Sequence, residues 1–135
     1  MATTVLVDSN VILDVVTEDP EWQDWSASAL ADAASRGRLI INPIVYAEVA
    51  AGFDRLEDLE DVLPHEYYER QPLPWEAAWL AGRCFVKYRR RGGQRRSPLP
   101  DFYIGAHALV AGLTLLTRDA GRYRNYFPKL RVICP

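Results

Sequence analysis

Four short apolar runs constrain this chain more than any other feature. They occupy residues 4–7, 39–41, 113–117 and 130–133. Each is too short for a helix and lacks the alternation of a half-exposed strand, so each reads as a strand buried on both faces. The stretches between them carry helical patterns. Buried strands alternating with helices predict an α/β fold, in which helices cover both faces of a mainly parallel sheet.

The helical stretches have recognisable ends. A first helix starts at Ser9 or Asn10, both good caps, with Val11, Ile12, Val15 and Val16 on one side. A second runs from Trp22 to about Ser35 and stops at Gly37. Pro43 suits the first turn of a third, which passes Glu48 and ends near Gly52. Asp54 caps a fourth, terminated by Pro64. Pro74 opens a fifth, from Trp75 to about Arg91, closed by Gly92 and Gly93. Asp101 opens a sixth, through Leu109 to Gly112. Trp75, Trp79 and Phe85 are expected to pack this fifth helix against its neighbours. The only Gly/Pro/Ser-rich break, 92–100, reads as a loop inside one domain covering 1–135. A chain of 135 residues can bury roughly 70% of its unfolded surface. It therefore needs neither disulfide nor structural metal.

Net charge is −2, so global charge gives no evidence for a polyanionic partner. The distribution says more. Residues 54–69 hold seven acids against Arg55, and residues 83–96 hold six arginines and Lys87 with no acid. Either run can be a solvated face; the basic run can also attract phosphate. Cys84 and Cys134 lie in no Cys/His cluster, which argues against zinc. They read as partly buried thiols in a reducing compartment. The N-terminus lacks a signal-peptide pattern, and no apolar run reaches the roughly 20 residues of a membrane span. A cytoplasmic protein is expected.

Four carboxylates occupy comparable places. Asp8 ends the first apolar run and Asp119 follows the third, both at carboxyl ends of expected parallel strands. Open α/β sheets bind ligands at that edge. Glu48 and Asp101 lie near the starts of helices that open towards it. Each acid also has an ordinary explanation: a helix cap for Asp8, a solvated position for Glu48, a favourable helix N-terminus for Asp101, a turn for Asp119. Their joint placement is more informative. Carboxylates packed together raise one another's pKa, and a divalent cation relieves the repulsion. Acids without Cys or His nearby suit Mg²⁺ or Mn²⁺. His107, six residues into its helix, is expected to pack against the core.

At these residues the chain resembles the PIN-domain family, and within it the VapC-type toxins of toxin–antitoxin pairs. The stretches 7–14 (Val-Asp-Ser-Asn-Val-Ile-Leu-Asp) and 42–49 (Asn-Pro-Ile-Val-Tyr-Ala-Glu-Val) are similar to two of its motifs. The stretch 100–108 (Pro-Asp-Phe-Tyr-Ile-Gly-Ala-His-Ala) is similar to a third. Thr117-Arg118-Asp119, with Arg122, Tyr126, Phe127 and Pro128 after it, resembles the closing one. The resemblance covers essentially the whole chain. It implies a PIN-like three-layer α/β/α sandwich with four to five short strands. It also implies Mg²⁺- or Mn²⁺-dependent endonucleolytic cleavage of RNA, a homodimer, and a cognate antitoxin. By the match, Asp8, Glu48, Asp101 and Asp119 are the catalytic, metal-binding acids, with Asn10 and Thr117 as supporting polar residues. Arg89, Arg90, Arg91, Arg95 and Arg96 are then candidate contacts to the RNA backbone. Two other classes stay open on the residues alone. One is an aspartate-nucleophile phosphatase, although Asn10 stands where such enzymes usually carry a second acid. The other is a non-catalytic module that binds a metal or a partner.

Overall fold

All four apolar runs become strands, and a fifth forms where no apolar run marks one. The last run, expected to be buried on both faces, is instead an edge strand with Ile133 exposed, because no strand pairs beyond it among the described residues. In the computed structural model, which describes residues 3–135, the elements follow in order. They are β1 (Val5–Val7), α1 (Ser9–Val16), α2 (Gln23–Arg36), β2 (Leu39–Ile41), α3 (Pro43–Ala50), α4 (Leu56–Val62) and β3 (Tyr68–Arg70). Then come α5 (Trp75–Arg90), α6 (Pro100–Ala111), β4 (Thr114–Leu116), α7 (Gly121–Tyr126) and β5 (Val132–Ile133). Residues 1 and 2 of the expected 1–135 unit lie outside the described residues.

The sheet runs β3-β2-β1-β4-β5 and every pairing is parallel. Val5 stands opposite Leu39 on one side and Thr114 on the other; Leu6 stands opposite Ile40 and Leu115. The three central strands are fully buried, which is why they read as unbroken apolar runs. Each Leu or Ile taken out of water there contributes about 1.5–3 kcal/mol. The chain steps from β1 through β2 to β3, then crosses back over β1 to β4. Right-handed crossovers therefore divide the helices between the two faces. Consistently, α1 packs on α2 and α3, while α6 packs on α5 and α7. The reversal of strand order falls between β1 and β4.

Several expectations need correction. Arg55, not Asp54, precedes α4, and no side chain caps that helix. The chain stays extended through Arg55, so the turn begins one residue later. Gly37 does end α2, but with φ 177 it is extended and makes no left-handed turn. A Cβ there would fall 1.9 Å from the Thr3 carbonyl oxygen, so close backbone approach accounts for the glycine. Trp75 and Trp79 are 89% and 69% exposed and do not pack the core. The buried stripe of α5 is Ala77, Ala81 and Cys84, small side chains on the face opposite the indoles. Phe85 is half-buried and packs against the core, as expected, while stacking on Tyr88 of its own helix. Among the described residues, no helix is long and apolar enough to cross a membrane.

Candidate active site

The acids are positioned by the ends of the central strands. Asp8 follows β1 in extended conformation and is 3% exposed. Its Oδ1 accepts the Ser9 amide at 2.8 Å, so the expected capping role is real. Its Oδ2 accepts two hydroxyls, Thr117 Oγ1 and Tyr123 Oη, each at 2.9 Å. Thr117 follows β4, across the strand-order reversal. Its hydroxyl receives Asn10 Nδ2 and the Asp119 amide, both at 3.2 Å. With two donors pointing in, its proton is aimed at Asp8. Asn10 Oδ1 in turn accepts the Arg118 amide at 3.2 Å. Asn10 and Thr117 thus hold the β1 and β4 ends together behind the acids.

Glu48 reaches the same place from the second turn of α3, where Ser9 Oγ donates to its Oε1 at 2.9 Å. Helix α3 is aimed by Asn42 and Pro43 at its start. Asn42 Oδ1 accepts the Val45 amide at 2.9 Å. Asn42 Nδ2 lies 3.0 Å from His107 Nδ1, and His107 Nε2 lies 3.3 Å from Gln71 Oε1. The amide donates to one ring nitrogen and the other donates to Gln71, which describes a neutral imidazole. His107 is fully buried, as expected, and burial pushes its pKa below the ordinary 6.5. It ties the start of α3 to α6, and both of its ring nitrogens are engaged by Asn42 and Gln71.

Asp101 sits just after Pro100 in the first turn of α6, where its charge meets the positive end of the helix. Tyr123 Oη lies 3.3 Å from its Oδ1, and Arg122 Nη1 lies 3.6 Å from its Oδ2. Tyr123 has one hydroxyl proton for both Asp8 and Asp101. Asp8, Glu48, Asp101 and Asp119, with Ser9, Asn10 and Tyr123 among their neighbours, line one concavity of about 540 Å³.

Electrostatics set these acids apart. Burial is the main cause that raises Asp8, Glu48 and Asp101 above the usual carboxylate range. Mutual repulsion adds to it: Asp101 acts on Asp8, both act on Glu48, and Asp119 acts on Asp101. Hydrogen bonds from Thr117 and Tyr123 work against the rise at Asp8, and Arg122 works against it at Asp101. Tyr123 is itself pushed well above its ordinary 10, first by burial and then by the charges of Asp8 and Asp101. The concavity holds more negative charge than its protein donors balance.

The comparisons with known proteins bear on this arrangement. The PIN domain family model matches residues 5–128. The chain belongs to the PIN domain family. No curated protein sequence matches it. Among solved structures, this PIN domain is similar to VapBC2 from Rickettsia felis bound to a DNA fragment from its promoter. There the TM-score is 0.74 at 17% identity, over 98% of this chain and 99% of that one. DNA-bound VapBC from Salmonella typhimurium gives 0.68 at 23% identity, over 99% and 98%. A toxin–antitoxin complex from Klebsiella pneumoniae gives 0.68 at 19%, over 96% and 95%. At such identities the likeness is one of fold.

The donor set fits a hard divalent cation: carboxylate oxygens only, with raised pKa values that a positive charge would lower. Among the described residues, however, no three Asp, Glu, His or Cys side chains already stand as a ligand cage. The carboxylates face Ser9, Thr117 and Tyr123 instead. The match is therefore in chemistry and in shared location, and the side chains of this PIN domain would have to turn to close on an ion.

Some participants were not anticipated. Tyr123 lies on a six-residue helix that opens with Gly121 and has no side-chain cap, so no local signal marked it. Asp14, buried inside the first motif, receives Ser26 Oγ at 2.7 Å and Arg118 Nε at 2.9 Å, joining α1, α2 and the loop after β4. Its spacing on α1 gave no hint of partners 12 and 104 residues away. In the basic run, Arg89 donates to the Gly93 and Arg95 carbonyls, bracing the loop after α5. Arg90, Arg95 and Arg96 are exposed. Arg91 lies over the Tyr126 ring, 5.0 Å from its centre.

Proposed function

We propose that this PIN domain is the toxin of a toxin–antitoxin pair, a Mg²⁺- or Mn²⁺-dependent endoribonuclease that hydrolyses RNA phosphodiester bonds. One observation carries the reading: four family-motif acids converge on one concavity at the strand-order reversal, three of them destabilised by burial and by each other. Such an excess of carboxylate calls for a cation. Asp8, Glu48, Asp101 and Asp119 would hold it, as one ion or two. A bound ion would neutralise charge on a phosphoryl oxygen and lower the pKa of the attacking water.

The chain's own groups do the rest. Thr117 and Tyr123 hold Asp8, and Ser9 holds Glu48, at the wall of the concavity, from which a rotation of the side chains brings their oxygens onto an ion. Arg122, at the rim beside Asp101, can pair with a phosphate and offset the repulsion between an acidic pocket and a polyanion. The solved VapBC and toxin–antitoxin complexes of the same fold support a cognate antitoxin as inhibitor, and we extend the reading to a homodimer working in the cytoplasm.

The deciding experiment is cleavage of RNA with Mg²⁺ or Mn²⁺ by the unsubstituted protein and by Asp8→Asn, with folding verified by circular dichroism. Metal-dependent cleavage is expected from the first and a loss of about 100-fold or more from the second, the scale of removing one positioned acid. Equal cleavage by both would remove Asp8 from the mechanism.

A further inference from the structure

Beside the acids lies a second concavity of about 340 Å³. The end of α5 contributes Tyr88 to its wall and the turn after it Arg91 and Gly93; α7 contributes Arg122, Asn125 and Tyr126. Arg122 and Asn125 also line the acidic concavity, so the two spaces are continuous. The sign of the charge reverses across that seam. On one side stand four carboxylates; Arg122 stands at the seam beside Asp101, and Arg91 beyond it in a wall that holds no acid.

The groove is built from close contacts. A Cβ at Gly93 would fall 2.2 Å from the Tyr88 ring, so only glycine lets the turn close over that ring. Gly92 supplies the positive φ, +92°, that the turn needs. Tyr88 packs edge-on against Phe102 at 5.9 Å, and Phe102 against Tyr126 at 4.9 Å. These contacts fix both tyrosines to α6, the helix that carries Asp101. The exposed Arg91 guanidinium over Tyr126 offers a flat cationic surface, of the kind that stacks on an unpaired base and pairs with a phosphate.

We propose that this groove binds the nucleotide adjoining the scissile phosphate of single-stranded RNA. Arg91 and Arg122 hold its phosphate, and its base lies against the Arg91–Tyr126 face. The inference rests on the ribonuclease reading and adds to it a nucleotide subsite built by Arg91, Arg122 and Tyr126. A base in a duplex is stacked on its neighbours and cannot enter such a groove, so the strand must be unpaired. The cations beside the acids also explain how a polyanion can approach them.

The test is binding of a short labelled oligoribonucleotide to protein carrying Asp8→Asn, followed by fluorescence anisotropy across a salt series. Arg91→Ala is expected to make the dependence of log affinity on log salt shallower by about 0.7, and to weaken binding about 5-fold at 0.1 M salt. Arg91→Lys should keep the slope yet bind less tightly, because the flat surface is lost. Arg55→Ala, the same charge change just before α4, should alter neither. A duplex of the same sequence should bind more weakly than the single strand. Unchanged affinity and slope in Arg91→Ala, with its fold intact by circular dichroism, would overturn the proposal, as would equal binding of the duplex. Cleavage of the same oligonucleotide by unsubstituted protein separates the two readings. Cleavage with no Arg91 effect sinks the groove alone; Arg91-dependent binding without cleavage keeps the groove and sinks the nuclease.

Discussion

Five carboxylates lie on or beside α4 (Asp54, Glu57, Asp58, Glu60 and Asp61), and four line the concavity beyond β1 and β4. The first group is the denser in sequence, yet the second is the one under electrostatic stress. On α4 the acids are mostly exposed, and the most engaged of them, Glu60, has a cation. Arg70 Nη2 donates to its Oε2 at 2.6 Å and Tyr46 Oη at 3.1 Å. The Arg70 hydrogen bond is the main cause that holds Glu60 below its usual range. In the concavity, burial is the main cause and drives Asp8, Glu48 and Asp101 the other way. Local acid density thus says little about where a chain stores unbalanced charge. Desolvation and the absence of a matching cation decide it.

The contrast can be broken most severely through catalysis. Asp8→Asn should cut metal-dependent cleavage about 100-fold or more, whereas Asp61→Asn on α4 should change it less than about twofold. Equal losses would mean that the two groups differ in burial only. Next in size is the response to metal without substrate. Mg²⁺ at about 100 times its Kd should stabilise the protein by about 2.7 kcal/mol, read as a rise in Tm. Asp101→Asn should abolish most of that rise and Asp61→Asn none of it. An Asp101→Asn protein that still responds fully would place the ion elsewhere.

Tyr123→Phe sharpens the comparison from the donor side. Removing the hydroxyl leaves Asp8 with one donor fewer and Asp101 with only Arg122. A loss of about 2 kcal/mol in thermal or denaturant unfolding is expected, the scale of a buried hydrogen bond to a charged group. If Tyr123→Phe unfolds like the unsubstituted protein, the hydroxyl does not support the acids.

The smallest effect belongs to His107, buried outside both groups. Its folded-state pKa is lowered from 6.5 by burial. As pH falls below 6.5, the unfolded chain takes up this proton first, so the stabilising contribution is full above 6.5 and is lost towards the folded pKa. The raised site acids act in the opposite sense, because protonation relieves them. His107→Gln should therefore flatten the His107 part of the difference in stability between pH 7 and mildly acidic solution. An identical pH profile in the variant would show that His107 does not titrate between the two states.

Legibility followed burial. The central strands β1, β2 and β4 are enclosed on both faces, and their sequences announce it. Strand β3, Tyr68-Glu69-Arg70, is an edge strand between charged surroundings and prolines, so nothing in its composition separates it from a loop. The short α7 was hidden in the same way, by Gly121 and a run of Arg and Tyr. That Asp8, Glu48, Asp101 and Asp119 meet in one concavity was legible through motif and topology. Tyr123 was not, because only the return of α7 over the sheet end brings its hydroxyl to both Asp8 and Asp101. The indoles of Trp75 and Trp79 misled for a related reason: helix α5 packs through its small side chains, and size alone does not say which face turns inward.

By itself, the sequence determined the α/β class, the three enclosed strands, the placement of four acids at one sheet edge and the packing of His107 against the core. Those features depend on local patterns: apolar runs, caps and residues placed at strand ends. Tertiary structure alone decided the edge strand, the engagement of Asp14 with Ser26 and Arg118, the hydroxyl shared by two carboxylates, and the cationic groove continuous with the acids. Each of these joins residues tens of positions apart, and their meeting is set by strand order and helix crossover, which no local pattern records.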